Sequence, residues 1–137
     1  MIKKICKNIN TLKKPSTDLK PNELVVVANL VDTLTYNLDK CVGMAANMIG
    51  VNKNVIAVVL ENKEILVMIN PTLIMKKGSY EAEEGCLSLD GVRKTTRYKK
   101  IEVKYFDVEF KEHVQTFENF EAQIVQHELD HLFGRII

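Results

Sequence analysis

The sequence predicts an α+β fold in which small mixed or antiparallel sheets pack around a C-terminal metal-binding helix, with a second helix near the N-terminus. Three observations carry this expectation. Apolar residues recur at helical spacing between Leu24 and Leu38, several short β-rich runs fill the middle of the chain, and a second helical pattern contains His127-Glu128-Leu129-Asp130-His131. Helix, strands and helix in that order form an α+β pattern. At 137 residues the chain is expected to make one domain over positions 1–137, large enough to bury a core without disulfides.

Taken in order, Pro21 suits the first turn of a helix, and Leu24, Val27, Ala28, Val31, Leu34 and Leu38 extend it to about Asp39. Cys41 to Gly50 reads as a loop of small residues with a short extended piece. Val55–Leu60 and Ile65–Ile69 are β-rich runs joined by Glu61–Glu64, which predicts a hairpin. Pro71 and Gly78 punctuate the segment that follows. Cys86–Leu89, Asp90–Gly91 and Val92–Arg97 read as strand, tight turn and strand. Ile101, Val103 and Tyr105 alternate with charged residues, as a half-buried strand requires. Phe117, Phe120, Ile124 and Val125 lead the last helix, which Gly134 can end.

Composition excludes several function classes. An apolar fraction of 46% and a charged fraction of 27% are those of a soluble globular protein. A formal net charge of +1 gives no electrostatic reason to expect direct binding of nucleic acid or a membrane surface. The first ten residues are basic but lack the apolar core of a signal peptide. The longest apolar runs, such as Val55–Leu60, are too short to span a bilayer. Three cysteines without close pairing argue for a reducing compartment, so the cytoplasm is the expected location.

The chemistry concentrates in the last helix. His127 and His131 lie four residues apart, on one helical face, so both imidazoles can reach one metal ion. Glu128 is turned by about 100° from His127. It can therefore act as a base beside the ion without being a ligand. Only six residues follow His131, so the third ligand is expected upstream. Cys6 lies near the terminus and His113 among charged residues of an exposed hairpin, which leaves Cys41 and Cys86. Composition and spacing do not separate these two.

Three segments together resemble the peptide deformylase family. Glu84-Gly85-Cys86-Leu87-Ser88 matches its E-G-C-L-S motif and Gln126-His127-Glu128-Leu129-Asp130-His131 its Q-H-E-x-D-H, while Cys41-Val42-Gly43-Met44-Ala45-Ala46-Asn47-Met48 lines up with its G-x-G-x-A-A-x-Q except at Cys41 and Met48. The resemblance runs from about Lys3 to Gly134 and selects Cys86 as the third ligand. It implies a hydrolase that removes the N-formyl group from N-formylmethionyl nascent peptides. It also implies Glu128 as the proton-transferring group and the Leu87 backbone N–H as an oxyanion donor. Gly43 and Gly85 would flank the substrate strand, Arg93 would meet the peptide, and Phe120 and Ile124 would line an apolar pocket. One divalent metal is implied, ferrous iron by the family, while a thiolate and two imidazoles also suit Zn2+, Ni2+ or Co2+. Glu84 is expected to orient a ligand histidine or to be a solvated charge, and Asp130 to pair structurally.

The chain departs from the family at Met48, where the family has glutamine. A thioether has no N–H to donate to a developing oxyanion. The alternative expectation is thus a deformylase-fold protein that binds metal or peptide with little or no turnover. Asn47 is a weaker candidate to replace the missing amide, because adjacent side chains diverge in an extended segment. Docking on the ribosome through a C-terminal extension is not expected.

Overall fold

A computed structural model describes residues 1–137. The helices are α1 (Ile9–Leu12), α2 (Val25–Tyr36) and α3 (Asn119–Leu132), with single 3-10 turns at Pro21–Glu23 and Ala46–Ile49. The strands are β1 (Gly43–Ala45), β2 (Val55–Val59), β3 (Ile65–Cys86), β4 (Leu89–Phe106) and β5 (Glu112–Glu118). All five form one antiparallel sheet in the order β1-β2-β3-β4-β5.

The two apolar faces of the inner strands explain where the helices lie. In β2 alternate residues separate into two cores. Ile56 and Val58 join Ile101, Val103, Phe117, Val125 and Leu129 under α3. Val55 and Ala57 join Leu30, Leu34, Met44 and Met48 under α2. A strand covered on both faces reads as an unbroken apolar run, as Val55–Leu60 does. The predicted alternation of Ile101, Val103 and Tyr105 is borne out, all three being buried.

Four boundaries differ from the sequence expectation, each for a physical reason. α2 stops at Tyr36 because the Asn37 side chain donates to the Thr33 carbonyl at 2.8 Å, capping the helix before Asp39. Pro71 and Gly78 do not interrupt β3. Pro71 falls in an irregularity of the ladder between Ile69 and Thr72, where a missing N–H is tolerated. The β3–β4 turn is Leu87–Ser88, because Cys86 pairs with Leu89, while Asp90 and Gly91 bulge out between Leu89 and Val92. Gly91 supplies the positive φ of +75° that this bulge uses. Phe117 belongs to β5, where its ring points into the core under α3, so the helix begins two residues later at Asn119. Gly134, at φ +78°, ends α3 as expected.

Candidate metal centre

Helix α3 is amphipathic only at its start. From Ile124 to Leu132 every residue is buried, so each polar group in that stretch needs a partner or a function. The four-residue spacing places His127 and His131 on one face, with their Nε2 atoms 3.0 Å apart. Cys86, the last residue of β3, brings its sulfur to the same point. Ligand atoms of Cys86, His127 and His131 all lie within 4.8 Å of one another. Two nitrogens held about 2.0–2.1 Å from a tetrahedral ion stand about 3.3 Å apart, close to the observed separation. The donor set and its spacing therefore fit one divalent ion.

The remaining candidates are elsewhere. The Cys41 thiol lies on the Asn37 carbonyl at 3.5 Å, and burial pushes it up to about 11. Cys41 is not part of the three-donor group. His113 stacks on Tyr105 and meets Asp107 at 2.7 Å on an exposed strand.

Burial and neighbouring groups set the electrostatics around the histidines in opposite directions. Burial holds His131 down at about 3, so its imidazole is neutral. Burial also pulls His127 down, but hydrogen bonds with Cys86 and Glu84 outweigh it and carry the ring up to about 10. A cation at Nε2 would satisfy the same anionic neighbours as that proton. Glu84 Oε1 lies 2.8 Å from His127 Nδ1, which leaves Nε2 to face Cys86 and His131. Of the two readings of Glu84, the orienting one fits this geometry.

Glu84 in turn is held by Arg97, a residue the sequence reading did not single out. Arg97 Nε and Nη2 grip both carboxylate oxygens at 2.6–3.1 Å, and Nη1 donates to Asp130 at 2.7 Å. Asp130 also accepts from Arg135 at 2.8 Å, so it pairs structurally as expected. Burial works against the Glu84 charge, but hydrogen bonds from His127 and Arg97 hold its carboxyl down at about 2.

Glu128 is 4% exposed, and its Oε1 has no partner. Burial pushes its carboxyl up to about 7. It faces a cavity of about 490 Å³ also lined by Gly43, Gly85, Cys86, Leu87 and His127. A Cβ at Gly43 would stand 2.8 Å from Ile124 Cγ2 and 2.9 Å from Glu128 Oε2. Only glycine lets β1 approach α3 this closely.

Of the expected pocket residues, Ile124 lines the cavity and is 6% exposed. Phe120 also lines it but is 57% exposed, so it forms a rim and is not core. Arg93 is not among the lining residues; it is half-buried on β4, with Nη1 unpartnered. Met48 lines the cavity at 2% exposure. The Asn47 amide donates to the His131 carbonyl at 2.8 Å and does not line the cavity, so it does not stand in for a glutamine at position 48.

Comparison with known proteins agrees with this geometry. The polypeptide deformylase family model matches residues 2–137. A peptide deformylase of Clostridium beijerinckii is 50% identical over the full length of both chains. One from Thermoanaerobacter pseudethanolicus is 36% identical over 88% of this chain and 75% of its own length. Among solved structures, the Acinetobacter baumannii class I type b peptide deformylase with Met-Ala-Ser bound superposes with a TM-score of 0.87 at 27% identity, covering 99% of this chain and 96% of that one. The Thermus thermophilus peptide deformylase gives 0.88 at 28% identity, covering 99% and 84%. The chain thus belongs to the polypeptide deformylase family, enzymes that remove the formyl group from nascent peptides.

Proposed function

We propose that Cys86, His127 and His131 hold one divalent metal and that Glu128 carries the protons in hydrolysis of N-formylmethionyl peptides. One observation carries this reading: three metal donors within 4.8 Å of one another beside a buried, unpartnered carboxylate on one cavity. A divalent ion, when bound, polarises the formyl oxygen and makes a water acidic enough to ionise near neutral pH.

The chain's own residues do the rest. Glu128, with its carboxyl near 7, takes a proton from the attacking water and delivers it to the departing α-amine as the C–N bond breaks. Formate and a free amino terminus are the products. Leu87 contributes its backbone N–H to the developing oxyanion, a donor independent of any side chain. Gly43 and Gly85 leave room for an extended peptide to lie as an added strand. Ile124 and the Phe120 rim receive the methionine side chain, and Arg93, half-buried on β4, meets the peptide outside the cavity. Ferrous iron is the physiological ion, and zinc, nickel or cobalt can replace it. The enzyme works in the cytoplasm on nascent peptides, without direct nucleic-acid contact. No helix is long and apolar enough to cross a membrane.

Met48 supplies no N–H at a place where one donor is typically worth about 10²–10³ in turnover. The reading of a binding protein with little turnover rests on that substitution alone and is not favoured. The test is amine release from formyl-Met-Ala-Ser by anaerobically prepared iron or nickel enzyme, beside Glu128→Ala and Met48→Gln. Activity that vanishes in Glu128→Ala and rises in Met48→Gln is expected. Undiminished activity in Glu128→Ala would overturn the assigned roles. Wild-type silence with an active Met48→Gln would favour the binding protein.

A further inference from the structure

Behind the metal centre lies a second tier of hydrogen bonds that the roles above do not use. The Tyr80 hydroxyl on β3 donates to Gln123 Oε1 at 3.1 Å. Gln123 Nε2 donates to Glu84 Oε2 at 2.9 Å, and Glu84 Oε1 meets His127 Nδ1 at 2.8 Å. Gln123 is one helical turn before His127, so both side chains reach Glu84 from the same face of α3.

The direction of every bond in this chain is forced. An ionised carboxylate only accepts, so Gln123 must present its NH2 group to Glu84. Its carbonyl oxygen then faces Tyr80, which must donate. Glu84 Oε1 already receives Arg97 and His127, whereas Oε2 is shared only by Arg97 Nε and Gln123. Without Gln123 the carboxylate loses the donor that fixes Oε2 on the helix side. Its grip on the His127 tautomer then loosens.

We infer that Gln123, itself held by the Tyr80 hydroxyl, is a positioning residue that locks the Glu84 carboxylate and thereby aims His127. This rests on His127 being a metal ligand, as proposed above. Gln123 also lines the cavity, so the alternative role of a plain substrate wall must be separated from positioning.

The test compares wild type, Gln123→Leu, Tyr80→Phe, the double variant and His127→Ala. Two quantities are read: zinc affinity by competition with a chelator, and kcat and KM on formyl-Met-Ala-Ser. Gln123→Leu should weaken zinc binding and lower kcat by about tenfold each, with KM within about twofold. Tyr80→Phe should lower both by about threefold, and the double variant should be no worse than Gln123→Leu, because Tyr80 acts only through Gln123. Tyr80→Phe removes a single oxygen, so it keeps the test valid if Gln123→Leu folds poorly. Unchanged zinc affinity in Gln123→Leu, a change in KM larger than in kcat, or additive losses in the double variant would each overturn the inference. Wild-type zinc affinity in His127→Ala would instead overturn the ligand assignment beneath it.

Discussion

Replacing Arg97 with methionine is the most demanding probe of the buried charge network. Arg97 is 3% exposed and makes four hydrogen bonds, three to Glu84 and one to Asp130. Methionine fills much of the volume but takes from two buried carboxylates the cation they share. Asp130 keeps Arg135, and Glu84 keeps His127 and Gln123, so neither acid is wholly stranded. Breaking one partner out of a buried pair costs about 3–5 kcal/mol. In a domain of this size that corresponds to a fall in melting temperature of about 10–20 °C. The measurement is equilibrium urea unfolding of chelator-treated protein, so that bound metal does not add its own stabilisation. Combining Arg97→Met with Glu84→Gln should recover at least about 1 kcal/mol, since it removes the charge left behind. A loss below about 1 kcal/mol in the single variant, or no recovery in the double, would refute the reasoning.

Three further outcomes are expected. Cys86→Ser should lose its metal on dialysis, whereas Cys41→Ser should retain about one ion per chain by elemental analysis, because Cys41 is outside the donor group. Gly43→Ala should lower kcat/KM by about tenfold or more in a deformylation assay, since its methyl would press on Ile124 and Glu128. Phe117→Ala should cost about 3–5 kcal/mol in urea unfolding, the usual range for deleting a buried ring, with metal content unchanged.

Elements set by local spacing were legible in the chain. The α3 histidine pair, the β2–β3 hairpin and the alternation of Ile101, Val103 and Tyr105 follow from periods of 3.6 and 2. The third donor was not legible in this way. Cys86 and Cys41 are equally small and equally near glycines, and only pairing across the sheet decides which meets α3. The resemblance to known deformylases made that choice. The β3–β4 turn was misplaced because Asp90-Gly91 is a strong turn signal, and here it makes a bulge. Arg97 had a readable clue: it shares strand parity with Ile101, Val103 and Tyr105, so it points inward and requires buried acids. Gln123 had no such clue, because it sits on a helix and its partners Tyr80 and Glu84 lie on β3, far earlier in the chain.

The Asn47 bond to the His131 carbonyl has a mechanical consequence. It rivets the segment carrying Met48 to the helix carrying both histidines, 84 positions apart in sequence. The two walls of the cavity are thereby tied to each other at one point by a direct, buried bond. Met48, next to Asn47, is packed in the core under α2, so an exchange at 48 acts on that packing while the adjacent backbone stays pinned to the histidine helix.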